Sequence, residues 1–392
     1  MSHYVELPRR LYALSLPQFI ERSNGFARGV SGDLRAEHDA AIFQLCEALM
    51  LADGVSLRIH GLSYLMLPVL AEVFGAKGLE ALLEQRAIEF LFAGTIAADP
   101  EMAPFPHLPG APAIAETTVP MIDPEQALRA GGEHIGARKL DRRAYRSLSG
   151  RIAKSTVMLP RKRVGEVIDD TVAAYEKGAL AAFGLDPEAA RESGSVPNRR
   201  LLQLVNEVLE SETIIDRELD VHELPQSWQA LRELTAELRS GGEVFKTVEH
   251  VLDYHRLPSI AGLIRSGALT PKMVVELRTR PETVEFRNWL WSLPDPRDAD
   301  AASADYIRRI TRNKADPKDS AFVKNARIVA TNAIRIGAKF VEEHLGLPGG
   351  LSEAASLGYE LLDAHVVDKF LTRKRPMRFA TEVIEPLATG SG

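Results

Sequence analysis

Between Asp99 and Pro124 the chain carries seven prolines: Pro100, Pro104, Pro106, Pro109, Pro112, Pro120 and Pro124. Each fixes φ and removes a backbone donor, so neither a helix nor an interior strand runs through such a density. The segment reads as an extended linker or a strap across the surface. It divides the chain into a small domain, 1–98, the linker, 99–124, and a longer remainder.

Ahead of the prolines the pattern is mixed. Residues 1–33 read as a short arm or hairpin, and Leu34 to Met50 as a helix. Val55-Ser56-Leu57-Arg58-Ile59 alternates with period 2, as a half-buried strand does. Leu62 to Phe74 and Gly78 to Glu84 read as helices separated at Gly75. A second strand spans Ala87 to Ala93, with Ile88, Phe90 and Phe92 on one side and Glu89 and Leu91 on the other. Strand, helices and strand in that order imply a small α/β unit with parallel strands.

After the prolines the periodicity is helical. Val164 to Phe183 ends at Gly184, and Asp186-Pro187-Glu188 caps a short helix. Leu201, Leu202, Val205, Val208 and Leu209 form one helical face, and Pro225 opens a helix with Trp228, Leu231, Leu234 and Leu238 inward. From Gly241 to Leu293 come further helical units. Val244, Phe245, Val248, Val251 and Leu252 line one face of the first, with His255 extending the stripe. Pro258 to Ser266 follows, then a helix with Thr270 as N-cap and Pro271 at N1, then Pro281 onward with Trp289 and Trp291 beside Phe286 and Leu290. Pro294-Asp295-Pro296 marks a second boundary. The expected class is mainly α (α+β), a small N-terminal α/β unit followed by helical regions at 125–295 and 296–392.

A hydrophobic fraction of 45% and a charged fraction of 26% describe a globular chain and exclude a disordered one. The one cysteine, Cys46, forms no internal disulfide and reads as a packed small hydrophobe, which fits a reducing compartment. No leader-like apolar region opens the sequence, and no window holds the roughly 18 apolar residues a membrane span needs. The expected location is cytoplasmic.

Charge is distributed unevenly. From Arg138 to Arg163 there are ten basic residues, Arg138, Lys139, Arg142, Arg143, Arg146, Arg151, Lys154, Arg161, Lys162 and Arg163, against one acid, Asp141. That segment is +9 in a chain of net −6, so the remainder sums to −15. A field this asymmetric attracts phosphates, of nucleic acid or of an anionic membrane, or an acidic protein. The same cluster also serves as a solvated face paired to acids elsewhere in the chain. Phe322 to Val341 forms a second basic feature, with Lys324, Arg327, Arg335 and Lys339 opposite Phe322, Val329, Ala333, Ile336 and Phe340. This pattern suits a membrane surface or an ordinary core-facing helix. Arg373, Lys374, Arg375 and Arg378 add a basic patch near the C-terminus.

If Ile214 to Glu223 is a strand, Asp216, Glu218, Asp220 and His222 project from one face. Clustered carboxylates with a histidine are the ligands of a hard divalent cation. No HExxH, paired CxxC, GxGxxG or GxxxxGK[ST] is present, so no motif specifies a reaction. Asp363, His365 and Asp368 repeat the acid-and-histidine theme without sharing one face. Two function classes follow. One is a binding or effector protein that engages a polyanion through its basic surfaces. The other is a metal-dependent hydrolase or nuclease using the acidic strand.

Overall fold

The computed structural model describes residues 9–13, 15–22, 32–59, 65–92, 95–97, 115–117, 123–136, 140–193, 198–221, 239–240, 242–312 and 376–390. It is mainly helical, with a small parallel sheet that gives the first part of the chain its α/β character. The strands are β1 (Arg10–Tyr12), β2 (Gly54–Ile59), β3 (Ile88–Phe92), β4 (Thr95–Ala97), β5 (Ala115–Thr117), β6 (Thr156–Met158), β7 (Asp220–Val221) and β8 (Arg239–Ser240). In chain order the helices begin with α1 (Ser15–Arg22), α2 (Gly32–Leu51), α3 (Met66–Val73), α4 (Ala76–Glu84) and α5 (Pro124–His134). Next come α6 (Arg142–Lys154), α7 (Arg161–Glu176), α8 (Pro187–Ser193), α9 (Asn198–Asp216), α10 (Gly242–Tyr254) and α11 (Ile260–Arg265). The last are α12 (Pro271–Leu277), α13 (Pro281–Trp291), α14 (Ala299–Arg312) and α15 (Glu385–Thr389).

Two compact units contain these elements. The first takes Met1–Gly242 together with Leu269–Arg278, the second Glu243–Ala268 and Thr279–Gly392. In the first unit six strands form one sheet in the order β6-β3-β2-β1-β7-β8, and every neighbouring pair is parallel. The chain steps outward from β1 through β2 and β3 to β6, then returns to the other side of β1 for β7 and β8. That reversal is the topological switch of a doubly wound sheet, and ligands of such sheets bind outside the carboxyl ends of the strands.

Three expectations change here. The boundary expected at 99–124 does not separate domains, because β3 before it and β6 after it are hydrogen-bonded neighbours. A sheet built from non-local pairs leaves no trace of that closure in local composition. The strap itself contains β5, paired antiparallel to β4, in the proline-free window Ala113 to Val119. Residues 1–33 also hold more than an arm or hairpin, since they contain β1, the strand at the switch point. The stretch Gly241 to Leu293 contributes α12 to the first unit and the rest of its helices to the second.

Register explains why β2 is buried along its whole length. Arg10 and Tyr12 stand opposite Gly54 and Ser56, and Ser56 and Arg58 stand opposite Glu89 and Leu91. In-register side chains of parallel strands share a face, so one face carries Arg10, Tyr12, Ser56, Arg58, Glu89 and Leu91. The other carries Leu11, Val55, Leu57, Ile88 and Phe90, all buried. Parallel sheets are covered on both sides, so the polar residues of β2 face α9 rather than water. Tyr12, Leu91 and Val221 pack with Ile214 and Leu219 at the end of that helix. Val164, Val167 and Ile168 of α7 pack against Val205 and Leu209 of α9.

The short α12 begins at Thr270, whose hydroxyl accepts from the Met273 amide, and it delivers Arg278. This side chain is buried and donates to Leu49 O (3.0 Å), Asp53 O (2.9 Å) and Gln85 Oε1 (2.7 Å). One guanidinium therefore satisfies the end of α2, the turn into β2 and the end of α4.

The second unit has an aromatic core. Phe286 stacks on Phe379 at 4.3 Å, and Trp289 lies 5.3 Å from Tyr306 and donates Nε1–H to Asp305 at 2.9 Å. Arg378 bridges Glu282 and Glu382 at 2.7 and 2.8 Å. Tyr306 OH lies 2.6 Å from His255 Nε2, and burial lowers the His255 imidazole from 6.5 to about 4. The helix expected from Pro225, the basic helix at 322–341, residues Asp363 to Asp368 and the basic residues 373–375 lie outside the described residues.

Two stability experiments follow. Arg278→Ala removes the donor to the buried Leu49 carbonyl together with the part-buried bonds to Asp53 and Gln85, and the expected loss is roughly 2–5 kcal/mol in urea unfolding; a loss below about 1 kcal/mol would contradict the role of this side chain. For His255 the folded pKa lies below the unfolded one, so the stability it contributes is present above pH 6.5 and is lost as pH falls toward 4. The advantage of wild type over His255→Asn should shrink across that window in tryptophan-monitored melts. An advantage independent of pH would contradict the buried neutral imidazole.

Candidate functional site

The basic segment divides into parts with different partners. In α6, Asp141 is the N-cap and accepts from the Ala144 amide at 2.8 Å. Tyr145, Leu148 and Ile152 are buried, at a spacing that turns one face of the helix inward. Arg129 of α5 covers the Tyr145 ring at 4.3 Å and pairs with Glu125 at 2.7 Å. With that face occupied, Arg142, Arg143 and Arg146 are exposed. With Ser147 they line an open depression of about 530 Å³. No ion pair to these three arginines, nor to the exposed Lys154, occurs among the described residues.

The remaining described members of the segment are paired. Arg151 meets Glu84 of α4. Lys162 lies 3.4 Å from Glu166, and Arg163 reaches Glu212 at 2.9 Å and Asp216 at 3.2 Å. Arg138, Lys139 and the side chain of Arg161 lie outside the described residues. One end of the segment is therefore solvated and, among the described residues, unpaired, and the other pairs with acids of α4, α7 and α9.

Lys162 and Arg163 belong to a second feature, a cleft of about 410 Å³ at the carboxyl end of β6. Val157, Met158, Leu159 and Pro160 form its apolar side. The first turn of α7 and the last turn of α9, with Arg217, form the rest. Arg217 donates to Glu89 at 2.6 Å, and Glu89 also accepts from the Ser56 hydroxyl at 3.2 Å.

Behind this cleft, between the sheet and α9, lies a buried polar layer that the sequence reading misses. Arg58 sits 3.3 Å from Glu210 Oε2 and donates to Asn206 Oδ1 at 2.8 Å, while Tyr12 OH donates to Glu210 Oε1 at 2.5 Å. Burial raises the Glu210 carboxyl above the ordinary glutamate value, against the opposing pull of Arg58 and the Tyr12 hydroxyl. The signal was present: Ser56, Arg58 and Glu89 occupy the alternate positions of two strands. Assigning those positions to solvent is what a half-buried strand implies and what a parallel sheet does not.

The acidic set is not arranged as expected. Ile214 to Glu223 is not one strand: α9 continues through Asp216, Glu218 sits in a turn at φ 52°, and among the described residues of the stretch the strand is Asp220–Val221. The alternation that would align Asp216, Glu218 and Asp220 is therefore broken, and Asp216 faces Arg163. His222 lies outside the described residues, and among those described no three His, Cys, Asp or Glu side chains converge on a metal position. Cys46 is buried, and burial pushes its thiol well above its ordinary value. No helix among the described residues is long and apolar enough to cross a membrane.

The buried pair makes a double-mutant prediction. Arg58→Met or Glu210→Leu alone leaves an uncompensated buried charge and should cost about 3–5 kcal/mol. The double variant should cost less than either single one, because the charge that makes each single change expensive is gone. Additive losses in urea unfolding would show that the two side chains do not act as a pair. Against protein-family models, curated proteins and solved structures the chain finds no match, so its function is read from these side chains alone.

Proposed function

We propose that this is a cytoplasmic binding protein that engages the phosphate backbone of duplex nucleic acid through Arg142, Arg143 and Arg146 on α6. The observation that carries the reading is the absence, among the described residues, of any acid paired with these three exposed arginines, where Arg151, Lys162 and Arg163 of the same segment each have one. Guanidinium is the side chain best shaped for phosphate, because its donors form a planar fork.

Two other polyanions have less support. A membrane-surface helix needs an apolar face available to the lipid, and the apolar face of α6, Tyr145, Leu148 and Ile152, is buried in the protein. Single strands are held largely by stacking on aromatic side chains. The one aromatic residue of α6, Tyr145, is buried beneath Arg129, and Met158 is the only large hydrophobic exposed among the described residues. What α6 presents is charge without a stacking platform, which suits a helix backbone.

Anisotropy titration of a labelled duplex across a salt series tests this. Three phosphate contacts correspond to a loss of roughly fortyfold between about 50 and 200 mM salt. Arg142→Glu, Arg143→Glu and Arg146→Glu together should abolish binding for every duplex sequence, because phosphate contacts carry no base information. The melting temperature should stay near that of wild type, since the side chains are solvated. Binding insensitive to salt, binding retained by the triple variant, or preference for anionic vesicles over duplex would each overturn the proposal.

A further inference from the structure

We infer that the cleft at the carboxyl end of β6 binds a small amphipathic anion, a phosphate or carboxylate head on a short apolar body. This site is separate from the arginines of α6. It lies at the carboxyl end of the edge strand β6, away from the switch point between β1 and β7, and its volume of about 410 Å³ falls within the range of small-molecule sites.

The two sides of the cleft differ in chemistry. Val157 to Pro160 supply an apolar floor on which Met158 is 55% exposed. A thioether left open at the mouth of a cleft is a surface that an apolar ligand body would cover. Facing it are three cations, Lys162, Arg163 and Arg217. Their carboxylate partners on the cleft side are themselves open to water, Glu166 by 49% and Asp216 by 60%. Ion pairs this exposed hold weakly, so an incoming anion can displace Glu166 and Asp216 while Glu212 and Glu89 keep Arg163 and Arg217 in place. Arg217 is fixed from behind by Glu89, and its side chain remains 31% exposed and lines the cleft. The guanidinium is thus held in place while part of it stays open to a ligand. The first turn of α7 contains no acid and no side-chain cap, and the two carboxylates of the lining, Glu166 and Asp216, are each already paired with one of the cations.

Calorimetric titration of the full chain with hexyl phosphate tests the inference, with inorganic phosphate and hexanol as matched halves of the probe. Hexyl phosphate should bind saturably and at least about tenfold more tightly than either half, since both sides of the cleft contribute. Met158→Ser should weaken hexyl phosphate several-fold and leave inorganic phosphate unchanged. Arg163→Gln should weaken both. Both positions are solvent-accessible, and a melting curve alongside each titration verifies folding. The Arg142→Glu, Arg143→Glu, Arg146→Glu variant should bind hexyl phosphate as wild type does. Equal affinity for inorganic phosphate and hexyl phosphate, no saturable binding, indifference to both cleft substitutions, or loss in the α6 variant would each overturn the assignment.

Discussion

The constraint on which the first unit depends is that a parallel sheet must be covered on both faces, whereas one of its faces carries Arg10, Arg58 and Glu89. Arg58 is buried near the end of β2, and Glu210 is buried on the inner side of α9. Each is tolerable only because the other is present, together with Asn206 and the Tyr12 hydroxyl. Buried pairs of this kind seldom add net stability compared with apolar replacements. What they do fix is register, because a helix sliding along an apolar sheet finds many acceptable positions, and one carrying Glu210 opposite Arg58 finds a single one.

That fixed register has consequences at the far end of the helix. Holding Glu210 against Arg58 determines where the next turns of α9 lie. Ile214 and Leu219 pack onto Tyr12, Leu91 and Val221, and Asp216 and Arg217 arrive beside the first turn of α7. The cleft wall is therefore a product of the buried layer: Arg217 is aimed by Glu89, a member of the same polar face of the sheet. Arg278 plays the matching part on the other side of the unit, where three segments end against one guanidinium. Charged groups, rather than apolar packing alone, set the geometry at both places.

Local physics made much of this legible in the sequence. The alternation of residues 55–59 and 87–93 located β2 and β3, and the helices between them implied their parallel relation. Capping chemistry located α8 behind Asp186 and α12 behind Thr270, because a cap is a contact between near neighbours. What remained hidden was non-local. β1 is three residues long and β7 and β8 are two each, too short to show a period, and they are strands only because a sheet already exists beside them. The proline segment had the composition of a boundary, yet β6 returns across it to pair with β3. Nothing in the prolines themselves encodes that pairing. Arg58 and Glu210, 152 positions apart by their residue numbers, were unreadable for the same reason.

The basic segment illustrates why charge read from sequence is ambiguous and how packing resolves it. Ten cations in a row of 26 residues constitute one feature by composition. In the folded chain, α6 turns Tyr145, Leu148 and Ile152 inward and leaves Arg142, Arg143 and Arg146 exposed, with no ion pair among the described residues, while Arg151 in its last turn meets Glu84. α7 instead lies along α9, whose Glu212 and Asp216 meet Arg163. The difference is set by which helix has an acidic neighbour, not by the cations. A cation paired on the surface has already given up most of its field to its partner, while an unpaired one retains it to the distance that salt allows, about 8–10 Å. Among the described residues of the segment, the field that reaches beyond contact range is therefore that of α6, and the paired end keeps its charge local.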